Sequence, residues 1–393
     1  MILSPYTPGS VPLVLAGRDV QLAQIRDQLG GVAVYGQFVG RIRVETGSRG
    51  VGKTSLLKAV QDTAAEAGFV TVWVTARRDE SLAGQVAHGL ARGLDQIGVA
   101  ASRDARLRDR IRTLNLELGA GPAKAGVGLD VEAHRTSSRT PAAAALGELV
   151  TAGAAAARDR GSAGVCVLVD ELQAAPELDL RTVAYAWQEM QVQHDQPAAA
   201  LFAAGLPNTP DVLTDAVTFS ERFAFRPLDR LTDNEAAEAL TRTAETADVT
   251  WAPGVVEEVV ARAQGYPYFV QLYGDATWQA AAPEAGAVLT HAHLRRAEAV
   301  VDADTATMFR ARWAKAAPGE QRLMTAMARF GDRPVRRADL AAELGVATTD
   351  LSVPRRRLID KGLIESVGHG RLQFTTPGFA AFVHDETGIA GSR

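Results

Sequence analysis

Cysteine is almost missing from this 393-residue chain, and the single Cys166 excludes an intramolecular disulfide. Its place in the apolar run 165–169 marks it as a small core residue rather than a catalytic thiol. The 7 histidines form no spacing of the zinc type, and His291 and His293 would diverge on a helix, so no structural metal is expected. No stretch approaches 18 consecutive apolar residues, and residues 1–14 lack a basic segment followed by an apolar one. A soluble cytoplasmic protein with no membrane contact is the expectation. Nor does either charge dominate: 42 Lys+Arg stand against 46 Asp+Glu, a net charge of -4. Any contact with nucleic acid is therefore confined to a local patch. Lysine itself is scarce, with Lys53, Lys58, Lys124, Lys315 and Lys361 the only ones, which makes each of those positions informative.

What is present is ordinary globular composition, 47% apolar and 6% aromatic, in a length that suits two or three domains of about 150 residues. Residues 18–29 read as a helix with Leu22, Ile25 and Leu29 on one face and Gly30-Gly31 ending it. A β-rich stretch reaching Thr46, a Gly-rich turn, a helix over 53–67 and a β-branched run over 69–75 compose a βαβ unit. Residues 81–116 look helical, 119–139 read as a mobile loop or weak hairpin, and a helix over 141–158 leads into the run 165–169. That run and 198–204 are unbroken apolar segments of the kind that fill a sheet buried on both faces, and a shorter one covers 223–225. The alternation predicts a parallel α/β sheet.

After Leu231 the strands stop for the length of a helical domain reaching 316. Thr232 with Glu235 fits a capping box for a helix to about 247, and helices from 253, over 268–281 and over 291–316 follow. The last segment is patterned as helix 318–330, a short strand at Val335, helices 337–344 and 352–361, and two strands, 363–367 and 371–375, around Gly368-His369-Gly370. That order is a winged helix. The predicted organisation is an α/β sheet domain over 1–230, a helical domain over 231–316 and a winged helix over 317–393.

Gly47-Ser48-Arg49-Gly50-Val51-Gly52-Lys53-Thr54 satisfies the phosphate-loop pattern G-x-x-x-x-G-K-[ST], between a predicted strand and a predicted helix. At the chain's own residue frequencies it would arise by chance about 0.005 times in this length. Its glycines let successive backbone N–H groups curl round phosphates, and the positive end of the helix that continues through Ser55 faces them. Lys53 would reach the β- and γ-phosphates of ATP, and Thr54 would ligate Mg²⁺. Asp170 and Glu171 end the buried run 165–169, where α/β ligand sites lie, Asp170 suited to the metal shell and Glu171 to the attacking water. Asn208 follows the strand 198–204 and would stand beside Glu171 if the two strands are neighbours, touching the γ-phosphate or water; an Asn after Pro is equally a turn residue. Arg222, before the last strand, would reach a neighbouring subunit's nucleotide or pair with surface acids.

These residues resemble the AAA+/STAND group of P-loop ATPases, in particular the archaeal-type and origin-recognition-like members with a C-terminal winged helix, over nearly the whole chain. Leu15-Ala16-Gly17-Arg18-Asp19 resembles the motif that opens such domains, which implies that Gly17 and Arg18 help seat adenine. Residues 47–54 match Walker A, Asp170-Glu171 matches Walker B, and Asn208 falls at sensor 1. Gly265-Tyr266-Pro267 resembles the GxP stretch of the lid, implying Pro267 near the base, and Phe374-Thr375-Thr376-Pro377-Gly378-Phe379 resembles the end of a winged helix. Where origin-recognition members carry a sensor 2 arginine, this chain has Gly274-Asp275-Ala276-Thr277, an arrangement closer to STAND proteins.

The resemblance implies a Mg-ATP-dependent switch, slow to hydrolyse ATP without a partner or a second subunit. If the last domain binds double-stranded DNA, Arg355, Arg356 and Arg357 would enter the groove and Arg371, with His369, would lie at the backbone. Segment 318–393 holds 11 Lys+Arg against 9 Asp+Glu, a modest +2 for such a role. Three successive arginines span about 200° of a helix, so one of them should face protein. The alternative is a signalling hub whose last domain is a protein-interaction or autoinhibitory module.

Overall fold

The computed structural model describes residues 2–100, 105–118, 141–219, 222–368 and 370–388. The expected loop over 119–139 and His369, expected in a wing, lie outside them. Contacts divide the chain into two compact units, one of residues 19–46 and 56–227, the other of residues 1–18, 47–55 and 228–393.

In chain order the first elements are α1 (Asp19–Tyr35), β1 (Ile42–Thr46), α2 (Lys53–Glu66), β2 (Val70–Thr75), α3 (Leu82–Gln96), α4 (Ala105–Glu117), α5 (Pro141–Asp159), β3 (Val165–Asp170), α6 (Glu177–Val192), β4 (Ala199–Gly205), α7 (Thr209–Ala216) and β5 (Phe223–Pro227). The five strands form one parallel sheet in the order β2-β3-β4-β1-β5. The apolar runs supply its centre: every residue of β3 and β4 is buried, whereas β2 at the edge alternates. Burial pushes the Cys166 thiol far above its ordinary range, as suits a core residue. Helix α1 does not stop at Gly30-Gly31 but runs on to Tyr35, because Val32 extends the buried face of Leu22, Ile25 and Leu29. The single helix expected over 81–116 is two, α3 closing where Gly98 turns at φ 79°. Helices α6 and α7 have no counterpart in the sequence reading. Strand β1 carries an unexpected buried pair, Arg43 Nε to Glu45 Oε1 at 2.5 Å, with Gln24 Oε1 accepting from Arg43 at 2.9 Å.

The second unit contains α8 (Asp233–Glu245), β6 (Thr250–Trp251), α9 (Val255–Ala263), α10 (Pro267–Ala281), β7 (Val288–Leu289), α11 (His291–Ala314), α12 (Pro318–Ala328), β8 (Val335–Arg336), α13 (Arg337–Leu344), α14 (Ser352–Asp360), β9 (Ile364–Ser366), β10 (Arg371–Phe374) and α15 (Phe379–Thr387). The capping box of Thr232 and Glu235 opens α8 in both directions. Within 231–316, where no strand was expected, β6 pairs with β7, whereas β8, β10 and β9 form a three-stranded sheet from the strands expected at Val335, 363–367 and 371–375. One apolar core runs from Leu231 to Val383, with Phe309 of α11 edge-on to Phe379 of α15 at 5.0 Å. Tyr6 joins it from the N-terminal segment, its hydroxyl donating to the Leu240 carbonyl at 2.6 Å.

Candidate functional site: a phosphate loop and an acidic strand end

The loop follows β1 directly, and its turns bury Ser48, Val51 and Lys53. Lys53 Nζ donates to the carbonyls of Gly47 and Ser48, each at 2.9 Å, which curls the loop around its own ammonium. Gly50 adopts φ 78°, and a β-carbon there would lie 2.4 Å from Tyr266 Oη. Only glycine meets both conditions. Tyr266, just before α10, donates its hydroxyl to the Arg49 carbonyl, and Pro267 opens the helix. Buried Arg18 donates to the carbonyls of Val51 at 3.1 Å and Asp229 at 2.8 Å. A β-carbon on Gly17 would meet the Glu235 side chain at 2.7 Å. Gly17, Arg18, the loop and the Tyr266-Pro267 corner are therefore neighbours. Thr54 is exposed and Ser55 half-buried at the start of α2.

The acidic pair occupies the sheet of the other unit. β4 lies between β1 and β3, with Gly205 beside Thr46 and Ala203 beside Val169, so Thr46, Gly205 and Asp170 end their strands at one edge. Asp170 is buried and its Oδ1 accepts the Glu171 N–H at 2.9 Å. Glu171 takes the left-handed conformation, φ 54°, a strained choice for a non-glycine that turns the chain sharply off the strand. Its carboxylate Oε2 accepts from Gln173 Nε2 at 2.5 Å. Gln173 Oε1 in turn accepts the Leu206 N–H at 3.0 Å. Asn208 is buried and immediately precedes α7, after the strand that neighbours β3. Gln173 carried no signal as a site residue in the sequence, and Tyr266 entered only as the middle residue of the Gly265-Tyr266-Pro267 stretch, since their roles depend on which strands and turns become neighbours.

Arg222 is not brought to this edge. Preceding β5, which pairs in parallel with Ile42 opposite Phe223, it stands at the opposite end of the sheet and donates to Gln191 Oε1 at 3.3 Å.

Among the C-terminal arginines, Arg355 turns back to Ser366 Oγ at 2.8 Å, whereas Arg356 and Arg357 are exposed. Arg371 lies opposite Arg336 on the adjacent strand. A cavity of about 320 Å³ is lined by Arg337, Arg355, Ser366 and Arg371. Like charges placed directly across a sheet repel, which makes this end of the module a suitable face for an anion.

Residues 14–198 match the family described as AAA ATPase domain. The match spans just under half of the chain, so residues 14–198 are similar to an AAA ATPase domain. The chain's parallel sheet has the AAA+ P-loop fold, and the enzyme is an ATPase. Residues 306–383 match a domain family of unknown function. No curated protein matches the chain at a significant level. Among solved structures, the ORC2 protein of Aeropyrum pernix, determined as ADPNP-ADP complexes, is similar at 14% identity and TM-score 0.56, covering 98% of this chain and 96% of that one. A Walker-type ATPase of Pyrococcus abyssi is similar at 13% identity and TM-score 0.55, covering 98% and 99%. RuvB of Thermotoga maritima, a Holliday junction branch migration motor, is similar at 15% identity and TM-score 0.47, covering 91% and 92%. Among the described residues of this ATPase, no helix is long and apolar enough to cross a membrane. No group of three His, Cys, Asp or Glu side chains among them is arranged to hold a metal.

Proposed function

We propose that this ATPase is a Mg-ATP-dependent switch of the AAA+/STAND kind, with its ATPase domain over 1–230, a helical lid over 231–316 and a winged helix over 317–393. The observation that carries the nucleotide site is the curled loop 47–52 with buried Lys53 at its mouth. Phosphate oxygens offer Lys53 the same contacts that the Gly47 and Ser48 carbonyls now supply, and the loop N–H groups remain for the rest of the charge. Gly17, Arg18 and Pro267 would hold the base. Mg²⁺ suits the remaining donors, because it prefers hard oxygens and keeps several waters, needing little more than the Thr54 hydroxyl and Asp170 carboxylate from protein. When bound, the ion neutralises charge on the phosphates. Glu171 would accept the proton of the attacking water, and Asn208 would orient that water or the γ-phosphate. Arg222, at the far end of its own sheet, would serve only a second copy of the chain, so turnover by the isolated chain is slow.

For the last segment we favour double-stranded DNA, on the exposed Arg356 and Arg357 and the arginine-lined cavity of Arg337, Arg355 and Arg371. One observation favours the second reading, a signalling hub whose last segment is a protein contact: the core of 231–316 continues without a break into 317–383. Replacing Glu171 by Gln tests the catalytic assignment. Fluorescent-nucleotide affinity should persist while single-turnover phosphate release falls by about two orders of magnitude or more. Undiminished release from E171Q would remove Glu171 from the mechanism.

A further inference from the structure

Gln173 bridges two parts of the sheet edge that the proposed hydrolysis uses. It sits in the short helical turn Leu172–Ala174 that follows the left-handed Glu171. Its side-chain amide has a forced orientation: a carboxylate only accepts, so the nitrogen must face Glu171 Oε2, and a backbone N–H only donates, so the oxygen must face Leu206. One side chain thus spans from the end of β3 to the turn after β4. Room for it depends on Gly205, where a β-carbon would stand 2.9 Å from Gln173 Oε1 and 2.2 Å from Thr209 Oγ1. Thr209 is wholly buried and fixes that turn by donating its hydroxyl to the Leu206 carbonyl at 2.6 Å. Asn208 lies in the same turn, two residues beyond Leu206.

From this bridge we propose that Gln173 is a positioning residue for hydrolysis: it fixes the Glu171 carboxylate and registers it against the turn that carries Asn208. A half-buried glutamate at a strand end still has several rotamers, and only a narrow range places an oxygen where an attacking water can give up its proton. By occupying Oε2, the Gln173 amide holds the plane of the carboxylate and leaves Oε1 for the water. The anchor at Leu206 ties that plane to the Asn208 turn, so the proton acceptor and the group beside the γ-phosphate keep a common frame. The inference rests on the reading of Glu171 as the group that activates water.

The test compares the full-length protein with Gln173→Ala and Gln173→Glu, alone and in the Glu171→Gln background. Q173E keeps the length of the side chain and the acceptor for Leu206, and replaces the donor to Glu171 by a carboxylate oxygen whose charge repels it. Both single variants should lose about 10- to 100-fold in single-turnover phosphate release, with nucleotide affinity within twofold of wild type; Q173A, which strips the buried Leu206 N–H of its acceptor, should also melt at a lower temperature. In the E171Q background the Q173A change should add nothing, because a residue acting through Glu171 has nothing left to position. Wild-type rates in Q173E, a rate loss in Q173A matched by lost nucleotide affinity, or a full additive loss in the double variant would each overturn the proposal. If E171Q inactivates while Q173A and Q173E do not, this inference alone fails. If E171Q itself hydrolyses normally, the underlying reading of Glu171 fails with it.

Discussion

Glu320 is 2% exposed at the start of α12, and its carboxylate is held there by Lys361 Nζ at 2.5 Å and by the Ala317 N–H at 3.0 Å. Burial pushes its pKa up, but the Lys361 and Ala317 hydrogen bonds and the nearby Arg357 charge outweigh burial and hold it below the usual carboxylate range. A carboxylate whose folded value lies below its unfolded value contributes stability above the unfolded value, near 4.5, and loses it as pH falls through the folded value. Lys361 also donates to the Lys315 carbonyl at 2.8 Å, so a single ammonium ties α14 to the end of α11. Removing it strands a buried charge. A fully buried pair broken this way costs about 3–5 kcal/mol, and because the Lys361 side chain is 36% exposed we expect K361A to lose about 2–3 kcal/mol at pH 7. Melting temperatures across pH 3 to 7 check this: the gap between K361A and wild type should narrow toward the acid end, where Glu320 takes up a proton. A gap independent of pH would mean that packing of the lysine stem, not its charge, carries the effect.

At the scale of elements, α1 shows how far local signals reach. Gly30-Gly31 reads as a helix stop, yet the helix passes through both, since burying Val32 on the same face as Leu22, Ile25 and Leu29 outweighs about 1 kcal/mol of lost propensity per glycine. Gly30 is exposed, has no left-handed backbone, and a β-carbon there would meet nothing within 4 Å. Gly30→Ala should therefore stabilise the protein by about 0.5–1 kcal/mol in urea unfolding with an unchanged slope. Gly31→Ala should gain less, because its new carbon would stand 2.7 Å from Gln37 Oε1. A loss of stability in Gly30→Ala would show that the segment does not keep its helix in solution.

The same contrast runs through the rest of the chain. The strands of the sheet were legible because unbroken apolar runs are required where both faces are covered, and the phosphate loop was legible because its chemistry is written in consecutive residues. Helix α6 was equally legible in principle, with Leu180, Val183, Ala184, Trp187 and Met190 buried at helical spacing, but no motif marks it. The pair β6 and β7 was not, because two residues carry no period. Strand order, and with it the neighbourhood of Asp170, Gln173 and Asn208, comes from long-range pairing that a linear reading supplies only as a condition.

At the scale of the whole molecule, a net charge of -4 opposes nonspecific attraction to DNA, so any affinity must come from a local concentration of arginine. Arg356 and Arg357 are exposed on α14, while Arg355 is committed to Ser366. The proposed DNA contact would use the exposed pair on the helix and the cavity lined by Arg337, Arg355 and Arg371. Each arginine withdrawn from a phosphate should lower the slope of log affinity against log salt by about 0.9. Fluorescence anisotropy of a labelled duplex, titrated at several salt concentrations with ATP and with ADP, should show salt-sensitive binding that differs between the nucleotides. The R356Q/R357Q double variant should flatten the slope by about 2 if both arginines meet phosphates. A fall in affinity at unchanged slope would instead place them on bases, with discrimination between duplex sequences falling as well. Absence of binding with either nucleotide would leave the exposed arginines to an acidic protein surface, in keeping with a last segment whose core is continuous with that of the helices before it.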